Sequence, residues 1–139
     1  MLLQTSEFIM KIPENVEVSE LPTSTTWIDE NGICCSISKK HPPQTLEETK
    51  KGVEEFKKIT KGKKVCLLID TTNSTPSSKE VRDYAAEIFP DLVKAIAMVS
   101  KSALGRMIAN LFFGLKPPPY PVKMFSEETE AKEWLKQYL

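Results

Sequence analysis

The chain has 139 residues, of which 40% are apolar and 27% are charged, and these proportions are typical of one globular domain. Basic and acidic side chains number 19 each, so the formal net charge is zero, which argues against a general nucleic-acid-binding protein. The N-terminus lacks the cationic start of a signal peptide, and no apolar run approaches the roughly 20 residues that cross a membrane. We therefore expect one cytoplasmic domain over residues 1–139, without a transmembrane segment.

The first third of the sequence has the pattern of β-strands. Residues 8–12 and 16–19 are short, mostly apolar segments separated by a proline, and both are predicted as strands. Residues 25–28 and 33–37 lie on either side of Asn31-Gly32. Because both residues of an Asn-Gly pair tolerate positive φ, this pattern predicts a β-hairpin.

A change to helical periodicity follows. Thr45 and Glu48 form a capping box, and the apolar face of the helix that they begin runs to Gly62. The unbroken apolar run that ends at Asp70 predicts a strand at the centre of a sheet, covered on both faces. Ser77 and Glu80 offer a second capping box for the next helix.

Alternation of strands and helices continues to the C-terminus. Pro90 stops the second helix, and Ser126 is the expected cap of the last one. The intervening elements are a strand at 93–99, a helix at 102–115 and a strand at 122–125. The order predicts an α/β fold with a mixed sheet, in which antiparallel N-terminal strands precede a βαβαβα unit with four main helices.

No catalytic motif is present in the sequence. There is neither a glycine-rich phosphate loop nor a nucleophile elbow, and the single histidine, His41, excludes a histidine-rich metal site. The three cysteines, Cys34, Cys35 and Cys66, lack the spacing of a metal site or a disulfide framework, so we expect reduced and mostly buried thiols. We therefore expect no enzymatic activity, no cofactor and no metal.

A polar segment follows the central strand, where the carboxyl ends of parallel strands meet ligands in open α/β sheets. It carries five candidate residues for partner binding or phosphorylation: Asp70, Thr72, Ser74, Ser77 and Ser78. A phosphate at a helix N-terminus gains from free amides and from the helix dipole. The alternative is a simple strand-to-helix turn, because such turns commonly use these residue types.

The helix at 102–115 is unusually apolar. Apolar side chains cover about half of its circumference, Phe113 falls on the other half, and Arg106 is its only charge. We name Met107, Phe112 and Phe113 as candidates for an interface or for contact with a ligand. Either the second flank packs against another subunit, a partner or a lipid, or the following proline-rich loop and last helix cover the whole element.

These features resemble a known family. Leu67-Leu68-Ile69-Asp70, a Ser/Thr-rich loop and a helix are similar to the central segment of STAS domains, the SpoIIAA-like anti-sigma-factor antagonists. Further motifs look like an uncharacterised bacterial branch of that superfamily, and they are Trp27-Ile28-Asp29-Glu30-Asn31-Gly32-Ile33, Asn110-Leu111-Phe112-Phe113, Tyr120-Pro121-Val122-Lys123-Met124-Phe125 and Ala131-Lys132-Glu133-Trp134-Leu135.

The resemblance implies a SpoIIAA-like fold and a switch by phosphorylation of a serine or threonine at the start of the helix after the central strand. Ser77 and Ser78 are the nearest positions here. The family's glycine-rich signature is absent, and Lys79-Glu80-Val81 stands in its place. Those glycines let a partner's backbone approach closely.

Three functions remain open at this point. The first is a non-enzymatic STAS-like regulatory or protein-interaction domain with a protein partner or a second copy in a homodimer. The second is a carrier of a small lipid or another apolar ligand, with the helix at 102–115 walling its pocket. The third is a phosphoacceptor domain with Asp70 at the end of its central strand, although the acidic pair that would hold Mg²⁺ lies in the hairpin turn.

Overall fold

A computed structural model describes residues 8–139, and its central element is a six-stranded mixed sheet whose strand order follows the chain. The strands are β1 (Ser19–Glu20), β2 (Ser24–Ile28), β3 (Cys34–Ser38), β4 (Val65–Asp70), β5 (Val93–Val99) and β6 (Val122–Phe125). The helices are α1 (Leu46–Thr60), α2 (Lys79–Ile88), α3 (Ala103–Leu115) and α4 (Glu128–Leu135). Short 3₁₀ helices at Phe89–Asp91 and Lys136–Tyr138 follow α2 and α4.

The pairing of neighbouring strands changes once across the sheet, from antiparallel to parallel. Strands β1, β2 and β3 pair antiparallel, whereas β3, β4, β5 and β6 pair parallel through the crossover helices α1, α2 and α3. The predicted α/β architecture with four main helices is therefore confirmed. The central position of β4 is confirmed as well, because it pairs with β3 and β5 and because Leu67 and Leu68 on its two faces are buried.

The β2–β3 hairpin forms where the sequence predicts it. Gly32 has a φ of +85°, a conformation that costs glycine little. The buried carboxylate of Asp29 completes the turn, because its Oδ1 accepts hydrogen bonds from the amides of Asn31 and Ile33, both at 2.9 Å. The Asn-Gly signal and the aspartate before it therefore fix this connection together.

Apolar clusters cover both faces of the sheet. On one face, α4 and residues 8–18 pack against side chains that include Trp27, Leu68 and Val99. On the other face, α1, α2 and the 3₁₀ turn after it pack against Leu67 and Ile96. The sheet is therefore the middle layer of three.

Several predicted boundaries in the sequence are wrong. Residues 8–12 and 16–18 form no strand, and only Ser19–Glu20 pairs with β2. The first helix does end where Gly62 predicts: Lys61 is the C-cap at a φ of +56°, and Gly62 follows it at a φ of +73°. The N-cap of α2 is Ser78 instead of Ser77, since only the Ser78 hydroxyl accepts from the amide of Val81.

The last helix also begins differently from the prediction. Glu127 occupies the N-cap position of α4 and makes no capping hydrogen bond through its side chain. The Ser126 hydroxyl instead donates to the Glu130 carboxylate at 3.4 Å. The acidic residues in the first turn, Glu128 and Glu130, supply the favourable interaction with the helix dipole.

Candidate functional site

Asp70 is fully buried at the carboxyl end of β4 and has no free acceptor facing solvent. Its Oδ2 accepts from the amides of Ile9 at 2.7 Å and Met10 at 3.0 Å. Its Oδ1 accepts from the amide of Thr72 at 3.0 Å and from the Thr72 hydroxyl at 2.6 Å. The carboxylate thus ties the N-terminal segment and the β4–α2 loop to the sheet. This arrangement leaves it poorly placed to accept a phosphoryl group.

The other candidates of the polar segment are exposed but do not converge on one point. The Ser74 hydroxyl lies 3.2 Å from that of Ser38 in β3, and Thr72 is engaged by Asp70. The carbonyl of Ser77 accepts from the guanidinium of Arg82, and Ser78 caps α2. The loop is therefore held by its own polar side chains, as the turn interpretation predicts.

Helix α3 presents its most apolar side to solvent. Six large side chains on this helix are more than half exposed, from 55% for Phe112 to 74% for Leu115. We call this set the α3 surface, and it consists of Leu104, Met107, Ile108, Leu111, Phe112 and Leu115. None of the residues of α3 is buried. An apolar patch of this kind commonly marks an interaction site.

The opposite side of α3 attaches the helix to the edge strand β6. The side-chain carbonyl of Asn110 accepts from the amide of Met124 at 2.8 Å, and its amide group donates to the Met124 carbonyl at 3.2 Å. Arg106, the only charged residue of the helix, donates to the carbonyl of Ser100 at 2.6 Å. These bonds fix the helix with its apolar half outward.

The structure separates the three interface candidates on α3. Met107 and Phe112 belong to the α3 surface, with 62% and 55% exposure. Phe113 is half-buried on the side of the anchored residues, and its ring meets that of Phe112 edge-on at 6.3 Å. None of the three lines the cavity described next, so the expectation that α3 walls a pocket does not fit this cavity.

A cavity of about 470 Å³ lies between α1 and the β2–β3 end of the sheet. Its lining includes Gly52 of α1 and five hydroxyl residues, of which Ser24, Thr26 and Ser36 lie on strands β2 and β3. Sequence reasoning missed this site. The available signals were a glycine inside a helix and small hydroxyl residues at alternate positions of two neighbouring strands.

The pKa values of three cysteines and of Lys132 are perturbed by burial and by ion pairing within the fold. Burial raises the pKa of the Cys34 thiol to about 12 and also raises the pKa values of Cys35 and Cys66. The pKa of Lys132 is raised even though its burial opposes the charged form, because it bonds Asp29 at 3.1 Å and Glu128 at 3.2 Å. Because their pKa values are raised, the three cysteine thiols are protonated at neutral pH and are poor nucleophiles.

No helix within residues 8–139 is both long and apolar enough to cross a membrane. The same range contains no group of three or more histidine, cysteine and acidic side chains that could hold a metal ion.

Comparison with known proteins places the chain in a family. Among solved structures, an uncharacterised protein of the DUF3478 family from Shewanella loihica PV-4, described as having a SpoIIAA-like fold, is 14% identical, with a TM-score of 0.53. The match covers 86% of this chain and 91% of that one. This likeness concerns the fold alone, and it confirms the SpoIIAA-like fold that the sequence resemblance implied.

A second solved structure, a protein of unknown function from Arthrobacter sp. FB24, is 22% identical and covers 80% of this chain and 97% of that one, but its TM-score of 0.29 supports no argument. No curated protein matches the chain. The family described as a domain of unknown function, DUF7793, matches residues 26–139, which is most of the sequence. The protein therefore belongs to the DUF7793 family.

Proposed function

We propose that this protein is a non-enzymatic regulatory domain of the STAS-like type that acts by protein–protein contact and self-associates through the α3 surface. The observation that carries the proposal is the orientation of α3. Its polar anchors, Arg106 and Asn110, face the domain, and its large apolar side chains face solvent. This is the reverse of an ordinary surface helix, whose apolar stripe faces the core.

The spacing within the α3 surface suits a second helix. Leu104, Ile108, Leu111 and Leu115 are separated by four, three and four residues. This is the alternation of core positions in a two-helix seam, in which side chains of one helix fill spaces on the other. The same face can meet its own copy across a two-fold axis, so that one patch serves both subunits.

The size of the patch is compatible with a weak to moderate dimer. The six side chains are 55–74% exposed. At roughly 100 Å² each they offer roughly 600 Å² of apolar area per subunit. A standard interface buries about 800 Å² on each partner. The proline-rich segment after α3, at residues 117–119, adjoins the patch in sequence and is available to extend the contact.

Charge favours a protein partner over a lipid surface. Amphipathic helices that lie on membranes carry lysine and arginine on their polar face, where they meet anionic headgroups. The polar face of α3 has one cation, Arg106, and it is turned inward onto the carbonyl of Ser100. The formal net charge of the chain is also zero. An apolar protein surface therefore complements α3 better than anionic lipid does.

Sedimentation equilibrium over micromolar to near-millimolar concentrations tests the proposal. We expect the wild type to be a reversible dimer and Leu111→Glu to be a folded monomer, because the introduced carboxylate would be buried at the seam without a partner. Leu139→Glu is the matched control, since Leu139 is 49% exposed outside α3 and its replacement should leave the dimer intact.

Two outcomes count against self-association. One is a wild type that stays monomeric at every concentration. The other is equal association of wild type and Leu111→Glu, with circular dichroism confirming that both are folded. Binding of the wild type to vesicles of anionic phospholipid, lost in Leu111→Glu, would replace the second copy with a lipid surface as the occupant.

A further inference from the structure

The floor of the cavity between α1 and the sheet carries a short row of hydroxyl groups. The Ser24 and Thr26 hydroxyls are 2.9 Å apart, and those of Thr26 and Ser36 are 3.3 Å apart. Within the described residues these two bonds use two of the three hydroxyl protons, which leaves one donor for another oxygen. Hydroxyl groups also accept, so the row can recognise a hydroxyl or a carbonyl oxygen.

Large apolar side chains form a substantial part of the lining of the same cavity. They are Val53, Phe56, Leu67, Ile69, Phe89 and Leu92. A volume of about 470 Å³ lies within the range of small-molecule sites, about 300–1,000 Å³. A lining that combines apolar side chains with polar groups is usual for such sites, and it fits a ligand with an aliphatic body and a polar group.

Gly52 leaves open space beside the cavity. Glycine inside a helix is less favourable than alanine, and Gly52 lies in the middle of α1. A Cβ atom built on Gly52 would meet nothing within 4 Å, so close packing does not explain the glycine. Its backbone conformation is not of the positive-φ kind that Gly32 and Gly62 adopt. The missing side chain instead leaves space beside the cavity that it lines.

The charged residues around the cavity indicate the charge of the ligand. Glu48, Lys51 and Glu55 line it, so one cation faces two anions. Glu48 is also engaged in the capping box of α1, where it accepts from the amide of Thr45 at 2.9 Å. This set gives an anionic head group no net attraction.

We propose that the cavity between α1 and strands β2 and β3 binds a neutral amphiphile, with its aliphatic body against Phe56 and Leu67 and a hydroxyl or carbonyl oxygen on the row formed by Ser24, Thr26 and Ser36. This site is separate from the α3 surface. The cavity lies at the β2–β3 end of the sheet, whereas α3 is attached to β6 at the other end. Self-association through the α3 surface and ligand binding in the cavity can therefore be tested independently.

Decan-1-ol is a suitable probe, and amide chemical shifts in ¹⁵N-labelled full-length protein report where it binds. We expect saturable shifts in β2, β3 and α1. Decanoate, with the same chain and a carboxylate, should bind about tenfold more weakly or worse, a difference of about 1.4 kcal/mol. Thr26→Val should weaken decan-1-ol binding about fivefold, because it breaks the row that orients the Ser24 and Ser36 hydroxyls toward the ligand.

Gly52 supplies the decisive pair of variants. Gly52→Leu places a side chain in the open space and should weaken decan-1-ol binding at least about tenfold, a loss of about 1.4 kcal/mol. Both Gly52→Leu and Gly52→Ala should be at least as stable as wild type in urea, because both residues favour a helix over glycine. Gly52→Ala should bind within about twofold of wild type, a change well under 1 kcal/mol.

Three results would overturn this site. The first is an absence of saturable shifts in the wild type. The second is unchanged binding by a folded Gly52→Leu protein. The third is a set of shifts confined to α3, which would assign decan-1-ol to the α3 surface instead.

Discussion

Replacement of Asp70 by asparagine tests whether this carboxylate anchors the N-terminal segment to the sheet. The change keeps the shape of the side chain but replaces one acceptor oxygen with an NH₂ group. In the wild type, four donors meet the carboxylate, from Ile9, Met10 and both the amide and the hydroxyl of Thr72. Because Asp70 is fully buried, water cannot substitute for a lost partner without a rearrangement of the loop.

The expected cost follows from this count of donors. The new asparagine amide has two orientations, and the less costly one turns its NH₂ toward Thr72. The Thr72 hydroxyl can then reverse and accept a hydrogen bond, but the Thr72 backbone amide is left without an acceptor. The Thr72 amide is only partly buried, so the loss of its acceptor costs about 1 kcal/mol, and each remaining bond weakens by about 1 kcal/mol because the acceptor is no longer charged. We expect Asp70→Asn to lower the free energy of unfolding by about 3 kcal/mol and the Tm by roughly 10 °C.

Urea unfolding followed by tryptophan fluorescence measures this change. Trp27 and Trp134 both belong to the cluster on the face that residues 8–18 cover, so they report on the affected side of the sheet. Amide hydrogen exchange at Ile9 and Met10 should accelerate in the variant. Asp91→Asn, at an exposed aspartate, is the control. An Asp70→Asn protein within about 0.5 kcal/mol of wild type, as for an ordinary surface change, would refute the reasoning.

Three further predictions concern single contacts. Asn110→Ala removes both bonds to β6 and should raise the hydrogen exchange of α3 amides, with a stability loss of about 1 kcal/mol in urea. Because the pKa of Lys132 is higher in the folded than in the unfolded protein, its ion pairs stabilise the fold fully at pH values below the unfolded lysine pKa. This stabilisation is lost as the pH rises through the folded-state pKa of Lys132. Wild type should therefore lose more stability than Lys132→Met between pH 9 and pH 11.5, a range that brackets about 10.4; equal losses in the two proteins would contradict the ion pair with Asp29. Ser78→Ala should cost about 1 kcal/mol because Ser78 is the N-cap of α2, whereas Ser77→Ala should be neutral in the same unfolding assay.

The strands and helices that the sequence predicts well are those with a local cause. The β2–β3 hairpin depends on Asn31-Gly32 and the Asp29 turn, and α1 depends on the Thr45–Glu48 capping box. The apolar run of β4 needs cover on both faces, and the apolar clusters on the two sides of the sheet supply it. Each of these signals acts within a few residues, so no knowledge of the remaining chain is needed to read it.

The prediction of N-terminal strands was wrong because apolar content alone does not specify strand pairing. Ile9 and Met10 do pack onto the sheet, as apolar residues of a strand would. Their amides, however, bond the side chain of Asp70, about sixty residues away, rather than a neighbouring strand. A contact between residues so far apart in the chain produces no periodic pattern in the sequence. For the same reason, Asp70 was a candidate for partner binding until its hydrogen bonds were known.

The orientation of α3 was also beyond the sequence. Its apolar periodicity identifies a helix and two unequal halves, but it does not say which half faces the domain. The unpaired edge of β6 decides this, since the amide and carbonyl of Met124 need partners and Asn110 supplies both. The hydrophobic effect alone would turn the other half inward. The cavity beside Gly52 was missed because it exists only between elements that are distant in sequence.

Folding alone does not account for the α3 surface. Roughly 600 Å² of exposed apolar area corresponds to roughly 15 kcal/mol of transfer free energy before ordering costs, which is comparable to the whole stability of a domain. Polar residues at these exposed positions would change the stability of the monomer little. The bonds made by Arg106 and Asn110 orient the helix, but at about 1 kcal/mol each they do not offset this area, which points to its burial against a second copy. If both anchors were replaced by alanine, α3 would be free to roll its apolar half onto the sheet edge, and self-association should weaken although every residue of the α3 surface is unchanged.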